Sequence, residues 1–284
     1  MFKIKQIWMI CRNSIFYTMF NCKIYVALIL VSILFQQLVE PIKEFSRLVD
    51  IKVNGWVFPF LTEYSFVQVV IVLAVAFVFC DIPFDDEASE WMLLRAGRQN
   101  WILGKVLYIF LMSGIMTLLF FLVSIILLIP QLQFCTGWGK VLGTLSQTNA
   151  ANVMGLNILK LDYNLQISFE PLQASIYGML MAWLVLSMAG MLILVCNLFF
   201  KKGIGQIVGI GFAFLAFLAP NFSNMYTAYY FSPASWLNIS FFTTGEYSKF
   251  PSLLYMIFFI LISYIVLLAS SVLLSKKYEI STHK

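Results

Sequence analysis

Residue types that usually support catalysis are scarce in this sequence and form no familiar catalytic pattern. His283, the only histidine, is the penultimate residue, so neither a histidine-based triad nor a zinc cluster can assemble within one chain. Gly104-Lys105 is followed by Val106, where a phosphate-binding loop needs Ser or Thr. We therefore predict no catalytic residue, no metal site, no cofactor site and no ATPase motif, and we expect the chain not to be an enzyme.

The cysteines also lack a metal-binding or disulfide pattern. No two of them form a CxxC pair, and most lie inside or beside apolar stretches, where a thiol behaves as a small hydrophobic side chain. The five are Cys11, Cys22, Cys80, Cys135 and Cys196. We predict neither a disulfide framework nor a metal centre.

The acidic and basic residues of residues 81–105 follow a pattern that is typical of a short helix. Carboxylates precede and open the predicted helix, and basic side chains flank its end at Gly97, so the charges complement the helix dipole. The acidic residues are Asp85, Asp86, Glu87 and Glu90, and the basic ones are Arg95 and Arg98. The pattern predicts a helix of about three turns.

This predicted helix is amphipathic. Ala88, Trp91, Met92 and Arg95 fall at helical spacing on one side. An amphipathic surface helix can rest on the inner leaflet of a membrane or dock onto a protein, and the residues alone favour neither.

The composition determines the surroundings in which these residues must work. The chain has 284 residues, of which 61% are hydrophobic and 11% charged, with a mean hydropathy of +0.90. This is far more apolar surface than a water-soluble core of this length can bury, and the apolar runs are continuous rather than alternating. The sequence therefore predicts an all-α, polytopic membrane protein with the lipid bilayer as its solvent.

Six apolar stretches are long enough to cross a bilayer. They are residues 22–39, 64–80, 105–130, 172–200, 203–219 and 251–274. With an inside N-terminus, twelve of the 18 Lys and Arg fall on the cytoplasmic side, so both termini are predicted to be cytoplasmic. The net charge of +5 is scattered between the spans, which favours a role in topology over nucleic-acid binding.

The chain is predicted to be a single transmembrane domain over residues 1–284, because no linker or clear repeat divides it. Its non-spanning parts are residues 1–21, 81–100, 131–171 and 220–250. In the first, Ile4, Ile7, Trp8, Cys11 and Ile15 share a helical face, which is typical of a helix on the membrane surface, although an ordinary basic flank fits equally.

Two further patterns concern packing. Residues 220–250 are rich in aromatics, which predicts either a re-entrant or interfacial pair of short helices or a simple aromatic belt. Gly205 and Gly209 form a GxxxG motif, for which packing inside the subunit is favoured over dimerisation. Polar side chains within the spans identify no substrate pathway.

Asp, Glu, Lys, Arg and His are absent from residues 106–139, 171–200, 203–245 and 250–275. Proton and cation coupling need a group that changes charge within the membrane. An ion-coupled carrier is therefore the less favoured transporter class.

A motif in the loop around the predicted short helix resembles the first cytoplasmic loop of ABC-2 type exporter permeases. The matching residues are Glu87, Glu90, Leu94, Arg95, Gly97, Arg98, Trp101, Gly104 and Lys105. The resemblance implies that the helix is a coupling helix, carried by Glu87, Glu90, Trp91, Leu94, Arg95 and Arg98, that docks into a groove of a separate nucleotide-binding subunit. It also implies an amphipathic N-terminal helix, six spans and an external segment before the last span.

These features together predict the permease subunit of an ATP-binding cassette exporter in a bacterial plasma membrane. Its partners would be an ATPase subunit that holds ATP and Mg, a second copy or related permease that completes a dimer, and the lipid bilayer, without nucleic acid. The cargo would be a peptide antibiotic, a lipid or another amphiphile. The alternative from another class is a non-transporting membrane scaffold or immunity protein.

Overall fold

The structure is a computed structural model that describes residues 3–84, 89–156, 161–200, 203–222, 226–242 and 249–277. The helices are α1 (Ile4–Met19), α2 (Cys22–Val49), α3 (Phe58–Leu61), α4 (Ser65–Val78), α5 (Ser89–Ala96), α6 (Arg98–Ile126), α7 (Lys140–Gln147), α8 (Ala150–Val153), α9 (Tyr163–Ser168), α10 (Pro171–Phe199), α11 (Ile204–Asn221), α12 (Thr227–Tyr230) and α13 (Leu253–Lys277). Two 3₁₀ turns, Pro233–Leu237 and Ile239–Phe242, lie between α12 and α13.

Five of these helices are long and apolar enough to cross a membrane: α2, α6, α10, α11 and α13 up to Ser275. Each coincides with a stretch predicted from the apolar runs, which identifies the chain as an all-α, multi-pass membrane protein. The main departure is α2, which extends ten residues beyond the predicted end at Val39 and continues through Pro41. Glu40 pairs with Lys43 and Arg47 on this extension.

The one predicted span without a matching long helix, residues 64–80, corresponds to the short helix α4. Its 14 residues rise about 21 Å, less than the roughly 30 Å of a hydrocarbon core. α4 is nevertheless central, because it packs against α2, α10, α11 and the turn Pro233–Leu237 and buries nine of its residues. A helix enclosed by protein need not match the bilayer thickness by itself.

Residues 226–242, which we call the inserted segment, pack into the bundle. The turn Pro233–Leu237 contacts α4, α10 and α11, and all five of its residues are buried. Trp236 donates from its indole nitrogen to the carbonyl of Tyr229 at 2.7 Å and meets the rings of Tyr255 and Phe259 edge-on. Phe222, Tyr226 and Phe231 stay exposed, so the aromatic side chains of this region are divided between the bundle interior and its surface.

The chain also contains a short pair of parallel strands that the apolar pattern did not predict. β1 (Val53–Asn54) pairs with β2 (Leu132–Gln133) at the end of the bundle opposite α5. The buried Asn54 side chain donates to the carbonyls of Cys135 and Gly137 and accepts from the backbone N–H of Cys135. These bonds fix the loop that follows α6.

Candidate functional site

The helix predicted to couple the chain to a partner is present as α5, with about two turns described instead of three. It ends at Ala96 as expected, because Gly97 adopts a positive φ of 80° that favours glycine. Glu87 lies outside the described residues, and Glu90 belongs to α5 but its side chain is not described. Asp85 and Asp86, the carboxylates predicted to precede the helix, also lie outside the described residues.

The side of α5 that packs on the bundle differs from the predicted amphipathic face. Leu93 is only 6% exposed, and Met92 and Ala96 are partly buried against the same core. Trp91, predicted to share a face with Met92, instead points away from the bundle with 76% exposure, and Leu94 is 64% exposed. Two large apolar side chains therefore project from a short helix at one end of the bundle.

Basic side chains accompany these projecting residues. Arg95 and Arg98 are both exposed, one in the last turn of α5 and the other at the first position of α6. The described residues predicted for coupling (Trp91, Leu94, Arg95 and Arg98) thus share one exposed corner. Apolar anchors bordered by Arg are typical of the surfaces with which proteins bind partners.

Asn100 links α5 to its neighbours. Its side-chain amide donates to the carbonyl of Ala96 at 2.9 Å, and its oxygen accepts from the backbone N–H of Lys3 at 3.3 Å. The first residue before α1 and the last residue of α5 are therefore held by one buried side chain on α6. This contact therefore links the end of α5 to the start of α1.

Gly104 and Lys105, which end the charged loop after α5, contact α1 rather than α5. At Gly104, a Cβ would lie 2.7 Å from Cγ2 of Ile10 and 3.2 Å from the carbonyl oxygen of Ile7, so only glycine allows this close approach. Next to it, the buried Lys105 donates from Nζ to the Ser14 hydroxyl at 3.0 Å. Lys105, assigned from sequence to the cytoplasmic loop, is thus inside the protein.

The N-terminal helix was predicted to present Ile4, Ile7, Trp8, Cys11 and Ile15 to a membrane surface. In the structure this face is divided. Cys11 is fully buried against the bundle and Ile7 and Ile15 are partly buried, whereas Ile4 and Trp8 are exposed. The hydroxyls of Thr18 and Tyr108 lie 2.6 Å apart and add a second polar contact between α1 and α6.

The segment between α4 and α5 is tied to the hairpin between α10 and α11 by Asn197. Its amide donates to the carbonyls of Cys80 and Ile82, at 3.0 and 2.7 Å, and its oxygen accepts from the backbone N–H groups of Gly203 and Gly205. Lys23, at the start of α2, forms an ion pair with Asp81 in the same segment. The described residues 80–82 are thus tied to α10 by Asn197 and to α2 by Lys23.

The GxxxG glycines pack within the chain. A Cβ at Gly205 would lie 2.5 Å from the carbonyl oxygen of Ile193, and one at Gly209 would lie 2.9 Å from its Cδ1 atom. Both glycines therefore face α10, as favoured from the sequence.

Glu63, which lies between α3 and α4 at the end opposite α5, was not predicted as a functional residue. Burial, and then the nearby Asp162 carboxylate, raise the pKa of Glu63 to about 7, although the Ser240 hydroxyl and the Asp162 backbone oppose this rise. The sequence feature that could have drawn attention to Glu63 is that it is the single acidic residue of residues 51–80. Within the described residues, no three His, Cys, Asp or Glu side chains lie together as a metal site would require.

Comparisons with family models, curated proteins and solved structures give no match. The fold and site define a class, the multi-pass helical membrane proteins. Within this class, the feature that bears on function is the exposed corner formed by Trp91, Leu94, Arg95 and Arg98.

Proposed function

We propose that this chain is the membrane-spanning subunit of an ABC-2 type exporter, driven by a separate ATPase that docks on α5. The observation that carries the proposal is the exposed Trp91 and Leu94 on a short helix that is held to α1 and α6. In this proposal α4 is the second of six spans, both termini are cytoplasmic, and the membrane is a bacterial plasma membrane.

The mechanism follows from how α5 is held. An ATPase that closes on ATP and Mg would displace the docked α5. This displacement would move the neighbouring helices only if α5 is attached to them rigidly. Asn100 and the Gly104–Ile10 contact would pass the displacement to α6 and α1 as rigid bodies. Asn197 would carry it to α10 and α11. The helix bundle, paired with a second copy or a related permease, would then alternate between two arrangements.

The substrate class stays broad in this proposal. A peptide antibiotic, a lipid or another amphiphile suits a pathway between apolar helices. Neither the corner at α5 nor the inserted segment selects among them.

Photo-crosslinking tests the docking. A benzoylphenylalanine at position 91, introduced into the full-length protein in its native cells, should crosslink to a polypeptide that contains a Walker A sequence. The same reagent at Phe134, which is comparably exposed but at the opposite end, should not. A position-91 product without a Walker A sequence would overturn the proposal and favour the scaffold or immunity role.

Substitutions give a second test. Trp91→Ala and Arg95→Ala should reduce ATPase co-purification and transport by about tenfold, as expected for the loss of interface anchors, without reducing the amount of inserted protein. Phe134→Ala serves as the matched control and should retain both. Unchanged co-purification and transport in both α5 variants would remove the assignment.

A further inference from the structure

The side of α1 that faces away from the bundle combines large apolar side chains with cations. We call this side the exposed face of α1, and it consists of Lys5, Trp8, Met9, Arg12, Phe16 and Phe20. Its four apolar members are each more than half exposed. Lys5 and Arg12 lie about two helical turns apart, so both cations project on the same side as these apolar groups.

Contacts on the opposite side of the helix fix the orientation of this face. Cys11 is fully buried against the bundle, and the Ser14 hydroxyl accepts a hydrogen bond from the ammonium group of Lys105 at 3.0 Å. The hydroxyl oxygens of Thr18 and Tyr108 lie 2.6 Å apart. Because these contacts hold one side of α1 on α6, the exposed face cannot rotate into the bundle.

The exposed face continues to the boundary of the membrane. α1 ends at Met19, and the spanning helix α2 begins at Cys22. Phe16 and Phe20, whose ring centroids are 4.7 Å apart, therefore lie within about two turns of a membrane span. Aromatic side chains on a surface helix at this level insert between headgroups and acyl chains. A water-soluble partner would have to displace lipid to cover them.

The charges of this region match anionic lipid. Residues 1–39 contain four Lys and Arg and no Asp or Glu, and of the four only Lys23 pairs with a carboxylate of the described residues. A second copy packed on the same face by two-fold symmetry would bring Lys5 and Arg12 against the same cations. A bilayer with anionic headgroups instead offers negative charge directly above hydrocarbon.

We propose that the exposed face of α1 binds anionic phospholipids. Lys5 and Arg12 contact the negatively charged headgroups, and the four apolar side chains insert beneath them. A zwitterionic headgroup carries a cation of its own, so it gains less from these two side chains. This face differs from the one that periodicity predicted, because it includes Arg12 and leaves out the buried Cys11. The role concerns the chain alone and does not depend on an ATPase partner.

Fluorescence quenching by brominated lipids tests the binding, because Trp8 belongs to the exposed face. The full-length protein is reconstituted in phosphatidylcholine nanodiscs that contain a small fraction of brominated phosphatidylglycerol or, in a parallel sample, of brominated phosphatidylcholine. The difference between the wild type and Trp8→Phe isolates the signal of this one of the seven tryptophans. At low salt, the brominated phosphatidylglycerol should quench Trp8 about fivefold more effectively. The preference should disappear in about 1 M salt, where the Debye length is about 3 Å.

Charge variants identify the source of the preference. Lys5→Gln/Arg12→Gln should remove most of it, and Lys5→Glu/Arg12→Glu should reverse it. Lys52→Gln/Lys140→Gln, which makes the same change in net charge at exposed sites at the opposite end, should retain it.

Three outcomes would each overturn the proposal. Equal quenching of Trp8 by the two lipids at low salt would show apolar contact without selection of the headgroup. A preference that survives in Lys5→Gln/Arg12→Gln would show that these cations do not bind the lipid. Absence of Trp8 quenching by either lipid would show that a second copy or another protein covers the exposed face.

Discussion

The ammonium group of Lys105 lies 3.0 Å from the hydroxyl oxygen of Ser14, and both side chains are fully buried. This hydrogen bond joins α6, which carries Lys105, to the N-terminal helix α1, which carries Ser14.

Ser14→Ala should destabilise the protein, because a buried charged donor loses an acceptor. The expected cost is about 1–3 kcal/mol, measured as a lower unfolding midpoint of the detergent-solubilised protein. Arg12→Ala, on the exposed side of α1, is the control and should change the midpoint little. Equal stability of the Ser14→Ala variant and the wild type would contradict the inferred role of the contact.

Gly104→Ala should lift α1 from α6, because the new Cβ would collide with Ile10 and approach the carbonyl oxygen of Ile7. The readout is Cys11, which is fully buried and whose thiol pKa is raised to about 11 by burial, so it should react slowly with maleimide near neutral pH. In the variant, labelling of Cys11 should increase about tenfold relative to the exposed Cys22, quantified by mass spectrometry. Cys11 that stays protected would show that α1 tolerates the extra methyl group.

Gly205 and Gly211 on α11 offer a matched pair. A Cβ at Gly205 would meet the Ile193 carbonyl and the Asn197 side chain, whereas a Cβ at Gly211 meets nothing within 4 Å. Gly205→Ala should therefore cost about 1–3 kcal/mol of stability through overpacking, and Gly211→Ala should gain up to about 1 kcal/mol from helix propensity. Thermal unfolding of both variants checks this, and the prediction fails if their order is reversed.

The orientation proposed for the bundle can be tested with the exposed Cys135 and a cysteine introduced at Leu94. A membrane-impermeant maleimide should label Cys135 in intact cells but should label the Leu94→Cys site only after permeabilisation. Labelling of the Leu94→Cys site in intact cells would place α5 outside and exclude docking to a cytoplasmic ATPase.

The long helices could be predicted from the sequence because each needs only a continuous apolar run, and the end of α5 could be predicted because Gly97 interrupts the helical pattern. The burial of Lys105 could not, since it depends on a contact with Ser14, 91 positions away, and neither could the contact of Glu63 with Ser240, 177 positions away. The direction of Trp91 also escaped prediction, because the face that α5 buries is determined by the bundle beneath it and not by its own periodicity. Local patterns predict elements, while tertiary packing decides which polar groups are enclosed.

The position of the inserted segment has a consequence for biogenesis. The turn Pro233–Leu237 fills the space between α4, α10 and α11, yet the ribosome makes it after all three of those helices. A nascent chain that has delivered α11 to the bilayer therefore still lacks part of its core. The short α4 acquires its final packing partners only when this later segment has been synthesised. The fold is therefore completed after α4, α10 and α11 have entered the membrane.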